Sequence, residues 1–279
     1  MNTYRTSQSL IAMIRRVQSP RGRRRAGLFA IEGTRLLERA LRAGAVLEDV
    51  LIAERLATSM EARHQELLAA LQAAGCRITT APNDVLTELT EGRDMGLIMG
   101  LVRLPSPLLL RDLLTPTIAE SGVTSDTPLI LAAVDIVDPG NVGALTRTAH
   151  AAGAIALLVS GAGDPYHPRA TRISRGSIFK LPVVEYVSSN EMLIALREQS
   201  LTLVGTAARH GTPLPAMHWP RRPTAILMGN EAEGLPPEVM GALDHTVTIP
   251  MPAGVDSFSV NAAAAIVLYS ARSQPARGQ

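Results

Sequence analysis

The chain has 279 residues, 46% hydrophobic and 19% charged, with a formal net charge of +2. That supplies enough apolar material for a core and too little charge for a disordered protein, and no run of 18 apolar residues escapes a proline, a charge or a polar break, which argues against a membrane-spanning helix. The single cysteine, Cys76, excludes an internal disulfide and a cysteine-based zinc site, so a soluble cytoplasmic protein is expected.

The elements are predicted in chain order. Leu10, Ile11, Ile14 and Val17 stand at helical spacing with Arg15 and Arg16 on the other side, and Ser19-Pro20-Arg21-Gly22 breaks that helix. A strand at 28–31, a helix at 34–43, a strand at 46–52 and a helix at 60–74 follow, the helices stopped by Gly44 and Gly75. A strand at 76–80, a helix at 82–89 and a strand at 97–104 complete a small α/β sandwich over 1–104. The Arg-rich, acid-free first thirty residues also fit a targeting segment. They run without interruption into Leu28-Phe29-Ala30-Ile31, so they are expected to belong to the fold.

Residues 105–127 are dense in Pro, Ser and Gly and read as a linker with one short helix at 108–114. In 128–279, strands at 129–134, 154–159, 183–187, 201–206, 224–228 and 246–250 alternate with helices at 142–152, 168–176, 191–199, 236–242 and 259–272. This alternation predicts a parallel sheet covered on both faces.

Positive charge is carried by arginine, Lys180 being the only lysine. Arg5, Arg15, Arg16, Arg21, Arg23, Arg24, Arg25, Arg35, Arg39 and Arg42 face only Glu32 and Glu38 within the first 45 residues. Such a cluster matches an anionic polymer, and Arg21, Arg23, Arg24 and Arg25 are its expected contacts. The six histidines are scattered, so no metal site is expected.

In open parallel sheets, ligands collect where strands run into helices. Three such loops are rich in glycine and polar residues: Asp138-Pro139-Gly140-Asn141-Val142-Gly143 leading to Arg147, Met228-Gly229-Asn230-Glu231 leading to Gly234-Leu235, and Ile249-Pro250-Met251 leading to Asp256-Ser257-Phe258-Ser259. Asn141 is the expected N-cap of the helix at 142–152, and Ser257 and Ser259 are placed to cap the last helix. None of the loops carries a Walker or dinucleotide-binding glycine pattern, and no acid follows at the position that would hold a ribose, so a nucleotide-dependent oxidoreductase is disfavoured.

In this order the three loops resemble the signature motifs of the SpoU (TrmH-like) branch of the SPOUT RNA methyltransferases, with Pro168-Arg169-Ala170 and Ser174-Arg175-Gly176-Ser177 resembling the family's middle segment. Arg23-Arg24-Arg25 with Phe29 and Glu32-Gly33 resembles the L30e-like substrate-binding domain fused to many members. The resemblance implies a deep trefoil knot in the second domain, bound S-adenosylmethionine, no metal, and a homodimer in which each subunit helps to build the other's site. The implied reaction is methylation of a ribose 2′-hydroxyl in 23S ribosomal RNA. The implied catalytic residues are Arg147, Asn141, Glu231 and Ser259, and the implied cofactor contacts are Gly229, Ile249, Met251 and Phe258.

Family members read Ser-Leu-Asn where this chain has Ser257-Phe258-Ser259, with an asparagine two positions later at Asn261. Whether Ser259 or Asn261 takes the asparagine's part is open at this level. So are two alternatives, a non-catalytic RNA-binding or ribosome-assembly module and a tRNA 2′-O-methyltransferase.

Overall fold

The computed structural model describes residues 7–93, 97–114 and 127–273. The chain forms two compact units, residues 1–106 with Tyr166–Phe179, and Pro107–Pro165 with the stretch from Lys180 onward. Part of the expected linker, 115–126, lies outside the described residues.

The first unit contains α1 (Ser7–Arg16), α2 (Pro20–Ala26), β1 (Leu28–Glu32), α3 (Thr34–Arg42), β2 (Leu47–Ala53), α4 (Glu54–Ala57), α5 (Ala62–Ala73), β3 (Arg77–Ala81), α6 (Asn83–Leu89) and β4 (Ile98–Arg103). Its sheet order is β1-β4-β2-β3, with β4 antiparallel to both neighbours and β2 parallel to β3. Leu10, Ile14 and Val17 lie in the core against Leu51, Leu86 and Met99, which explains the helical spacing of the first segment.

The sequence reading missed α2. Ser19-Pro20 ends one helix and starts the next: the Ser19 hydroxyl accepts from the Gly22 amide at 3.1 Å, and Pro20 fills the first turn where its missing N–H costs nothing. Gly22 is required by the close approach of α1, because a Cβ there would lie 1.8 Å from the Arg16 carbonyl oxygen. The buried Arg23 donates Nη1 to the carbonyls of Val17 and Gln18 at 2.8 and 2.9 Å, tying off the chain beyond α1.

Read in sequence order, Tyr166–Phe179 fell within the second domain, but these residues pack in the first unit. Phe29 meets the rings of Tyr166 and Phe179 at centroid distances of 5.1 and 6.3 Å. The buried Glu32 carboxylate accepts from Arg93 at 3.2 Å and from Arg172, and Arg39 donates to the Arg175 carbonyl. A buried carboxylate needs such partners.

The second unit begins with α7 (Leu110–Leu114), β5 (Leu129–Ala133), α8 (Pro139–Ala151) and β6 (Ala156–Ser160). After α9 (Pro168–Ile173), which belongs to the first unit, come β7 (Val183–Tyr186), α10 (Ser189–Glu198), β8 (Thr202–Thr206), β9 (Thr212–Pro213), β10 (Thr224–Met228), α11 (Pro237–Gly241), β11 (His245–Thr248) and α12 (Val260–Ser273). The seven strands are all parallel, in the order β7-β6-β5-β10-β8-β11-β9. β9 is a two-residue exposed edge strand that apolar patterning gives no means of finding.

β5 buries both faces. Leu129, Leu131 and Ala133 pack with α8 and α12, and Ile130 and Ala132 pack with α10 and α11. Strand order reverses at β5: β6 and β7 extend one side, and the chain then crosses to β8 on the other. That reversal opens a crevice at the carboxyl ends of the strands.

Candidate active site

A cavity of about 460 Å³ opens at these carboxyl ends, walled by the loops after β8, β10 and β11 and by the start of α12. Its size suits a small-molecule ligand. Gly229, Ile249, Met251 and Phe258 all line it, and so does Glu231. Phe258 is 43% exposed, an apolar ring left open to solvent beside the cavity.

The loop after β10 is a tight internal ladder. The Asn230 amide donates to the Gly234 carbonyl at 3.0 Å, the Gly234 amide to the Asn230 carbonyl at 2.8 Å, and the Ala232 amide to Asn230 Oδ1 at 2.9 Å. Gly229 fits because nothing larger does: a Cβ there would stand 2.2 Å from the carbonyl carbon of Gly234. Asn230 Nδ2 also donates to the Asp135 carbonyl at 3.2 Å, joining this loop to the one after β5.

Asp135 has φ +53°, a left-handed conformation uncommon for a non-glycine residue, and its carboxylate accepts from the Ser160 hydroxyl at 2.9 Å. Its strand-end position was the available signal, and the sequence reading gave it no role. The loop after β8, which brings Arg209 and His210 to the cavity wall, was also missed, although the rule that ligands gather at strand ends applies to it equally.

α8 starts three residues earlier than expected. Asp138, not Asn141, is its N-cap, accepting from the Asn141 amide at 3.0 Å, with Pro139 in the first turn. The Asn141 side chain is thereby released from capping and donates to the Glu231 carboxylate, while Asn261 Nδ2 donates to Asn141 Oδ1 at 2.9 Å. Ser259 is exposed and accepts from the Ala262 amide at 3.4 Å, acting as the cap of α12.

Arg147 stands exposed on α8 and is not among the residues lining the cavity. Arg21, Arg24 and Arg25 are exposed on α2 and pair with no carboxylate among the described residues, whereas the neighbouring Arg15 is held by Glu88 at 2.7 Å. Arg23 departs from the expectation made for it, since its guanidinium is buried against the backbone.

Among the described residues no three His, Cys, Asp or Glu side chains are grouped to hold a metal, and no helix is long and apolar enough to cross a membrane.

Residues 128–269 match the SpoU rRNA methylase family. The chain belongs to this family. Residues 9–94 match an MRM3-like substrate binding domain. A 23S rRNA uridine 2′-O-methyltransferase of Streptomyces viridochromogenes is 33% identical over 92% of this chain and 86% of its own. A 23S rRNA guanosine 2′-O-methyltransferase of Bacillus subtilis is 25% identical over 92% of this chain and 94% of its own. Among solved structures, the SpoU methyltransferase AviRb from Streptomyces viridochromogenes in complex with AdoMet superposes with a TM-score of 0.83 at 27% identity, covering 99% of this chain and 100% of that one. The α/β fold with its parallel sheet is thus the fold of SpoU methyltransferases.

Proposed function

We propose that this protein is an S-adenosylmethionine-dependent methyltransferase acting on a ribose 2′-hydroxyl of 23S ribosomal RNA in the cytoplasm. The observation that carries the reading is the convergence of Gly229, Glu231, Ile249, Met251 and Phe258 on one cavity in a chain of the SpoU family.

The lining fits that cofactor. Ile249, Met251 and Phe258 offer an apolar surface for a base, Glu231 and Glu233 suit cationic groups, and Arg209 and His210 suit a carboxylate. When bound, S-adenosylmethionine supplies a methyl group activated by a sulfonium. The chain's own residues position and stabilise. Asn141 holds Glu231 at the wall, and the Gly229–Gly234 ladder fixes the loop that shapes it.

A guanidinium offers five N–H donors and no acceptor, so Arg147 serves as a donor and not as the proton acceptor. Its role is to hold the RNA phosphate and stabilise negative charge developing on the 2′-oxygen. Since Arg147 does not line its own chain's cavity, the reading includes a homodimer in which it serves the partner subunit's. Ala265, Ile266 and Tyr269 support this, forming an apolar face of α12 turned away from the core, with Ile266 36% and Tyr269 73% exposed.

The trefoil knot belongs to the same proposal. In its support, α12 returns to pack on α8, and Arg272 donates to the carbonyl of Thr127, just before β5, and to those of Ala152 and Gly153, just after α8. The exposed arginines of α2 are the proposed RNA contacts, Arg21, Arg24 and Arg25.

The test is transfer of a labelled methyl group to 23S ribosomal RNA. Arg147→Ala is expected to lower the rate by about 10² to 10³, as loss of a preorganised donor does. Undiminished transfer overturns the role of Arg147, and absence of calorimetric binding at millimolar S-adenosylmethionine overturns the cofactor assignment.

A further inference from the structure

We infer that Asn261 is the positioning residue of the third motif: it sets the orientation of Asn141, and through it the hydrogen bond received by Glu231, while Ser259 serves only as a helix cap. This rests on the reading of the cavity as a cofactor site.

A carboxamide presents a donor and an acceptor in fixed opposition. Asn141 accepts on Oδ1 from Asn261 Nδ2 at 2.9 Å, so its own Nδ2 is turned toward Glu231. Carboxylate oxygens accept, so removing the Asn261 donor leaves Asn141 held by Glu231 alone, and an acceptor placed at 261 competes with Glu231 for the Asn141 Nδ2 donor. Asn261 and Glu231 therefore hold the Asn141 amide in one orientation from its two ends.

Asn261 Oδ1 is buried and has no hydrogen-bond partner among the described residues, so the amide's interaction is directed at Asn141. A buried acceptor left without a donor demands a reason, and delivery of a donor to Asn141 supplies one. The three residues come from α12, α8 and the loop after β10, 120 and 90 residues apart in the chain. Ser259 takes no part in this chain of bonds. Its hydroxyl is directed to the Ala262 amide, and its carbonyl accepts from the Ala263 amide at 3.0 Å.

A double-mutant cycle on the full-length protein tests the relay. Asn261→Asp draws the Asn141 donor toward the new carboxylate and sets an acceptor against Glu231. At pH 8 its affinity for S-adenosylmethionine is expected to fall on the order of tenfold, the weight of one hydrogen bond to a charged group.

On a Glu231→Gln background, whose amide matches either face of Asn141, the same substitution should cost less than threefold at the same pH. Equal losses in both backgrounds overturn the inference. The melting temperatures of the four ligand-free proteins should show the same non-additivity, and additive shifts overturn it as well. This second measurement needs no cofactor, so a wild-type protein that fails to bind S-adenosylmethionine defeats the reading of the cavity while the relay is still decided. Should Asn261→Asp not fold, Asn261→Ala, which removes the donor without adding charge, is taken through the same melting cycle, where additivity with Glu231→Gln again overturns the relay.

Discussion

At the scale of single residues, adjacent arginines do opposite work. Arg23 and Arg24 are indistinguishable by charge, yet one is buried with its guanidinium against the Val17 and Gln18 carbonyls and the other stands in solvent. Arg23→Ala leaves those carbonyls without their donor and is expected to cost roughly 2 to 3 kcal/mol, read from urea unfolding. Arg24→Ala should leave the unfolding midpoint unchanged and reduce by about one the slope of log affinity for RNA against log salt concentration. Equal destabilisation by the two substitutions contradicts this assignment. The arginine cluster was legible in the sequence because charge is a local property, but its division into structural and exposed members depends on where α1 ends.

At the scale of elements, the hydrophobic pattern located most helices and strands, and side chains reaching between elements set their boundaries and joints. Asp244, just before β11, accepts from the Leu203 amide of β8 at 2.7 Å and from Arg197 of α10 at 3.2 Å. Burial pushes this carboxyl up, but the Leu203 amide and the Arg197 guanidinium outweigh it and hold it below the usual aspartate value. A folded value below the unfolded one means that stability is gained above about pH 4 and lost as pH falls through the folded value. The difference in urea midpoint between wild type and Asp244→Asn should therefore be largest near neutrality and shrink below pH 4, and a difference constant from pH 7 to pH 3 excludes this joint. Helix starts follow the same logic. Ser19-Pro20 and Asp138-Pro139 each combine a capping side chain with a proline in the first turn, where its missing N–H costs nothing, so a proline beside a capping residue starts a helix.

At the scale of the whole molecule, the proposed dimer makes its own prediction. Tyr269 lies on the exposed face of α12, so Tyr269→Asp should give a monomer by analytical ultracentrifugation. That monomer should keep its affinity for S-adenosylmethionine, because Gly229, Ile249, Met251 and Phe258 meet in one cavity within a chain, and should lose methyl transfer, because Arg147 no longer reaches a partner's site. A variant that remains dimeric and active overturns this account of the interface. By itself the sequence determined the alternation of strands and helices, the doubly covered parallel sheet and the three loops that gather at its carboxyl ends, because hydrophobic period and turn chemistry are carried by neighbouring residues. Only the tertiary structure decided that Tyr166–Phe179 packs with the first unit, that Arg23 is buried, and that Asn261 rather than Ser259 reaches Asn141. Those outcomes depend on hydrogen bonds and ring contacts between residues up to 150 positions apart, and no local pattern encodes such a separation.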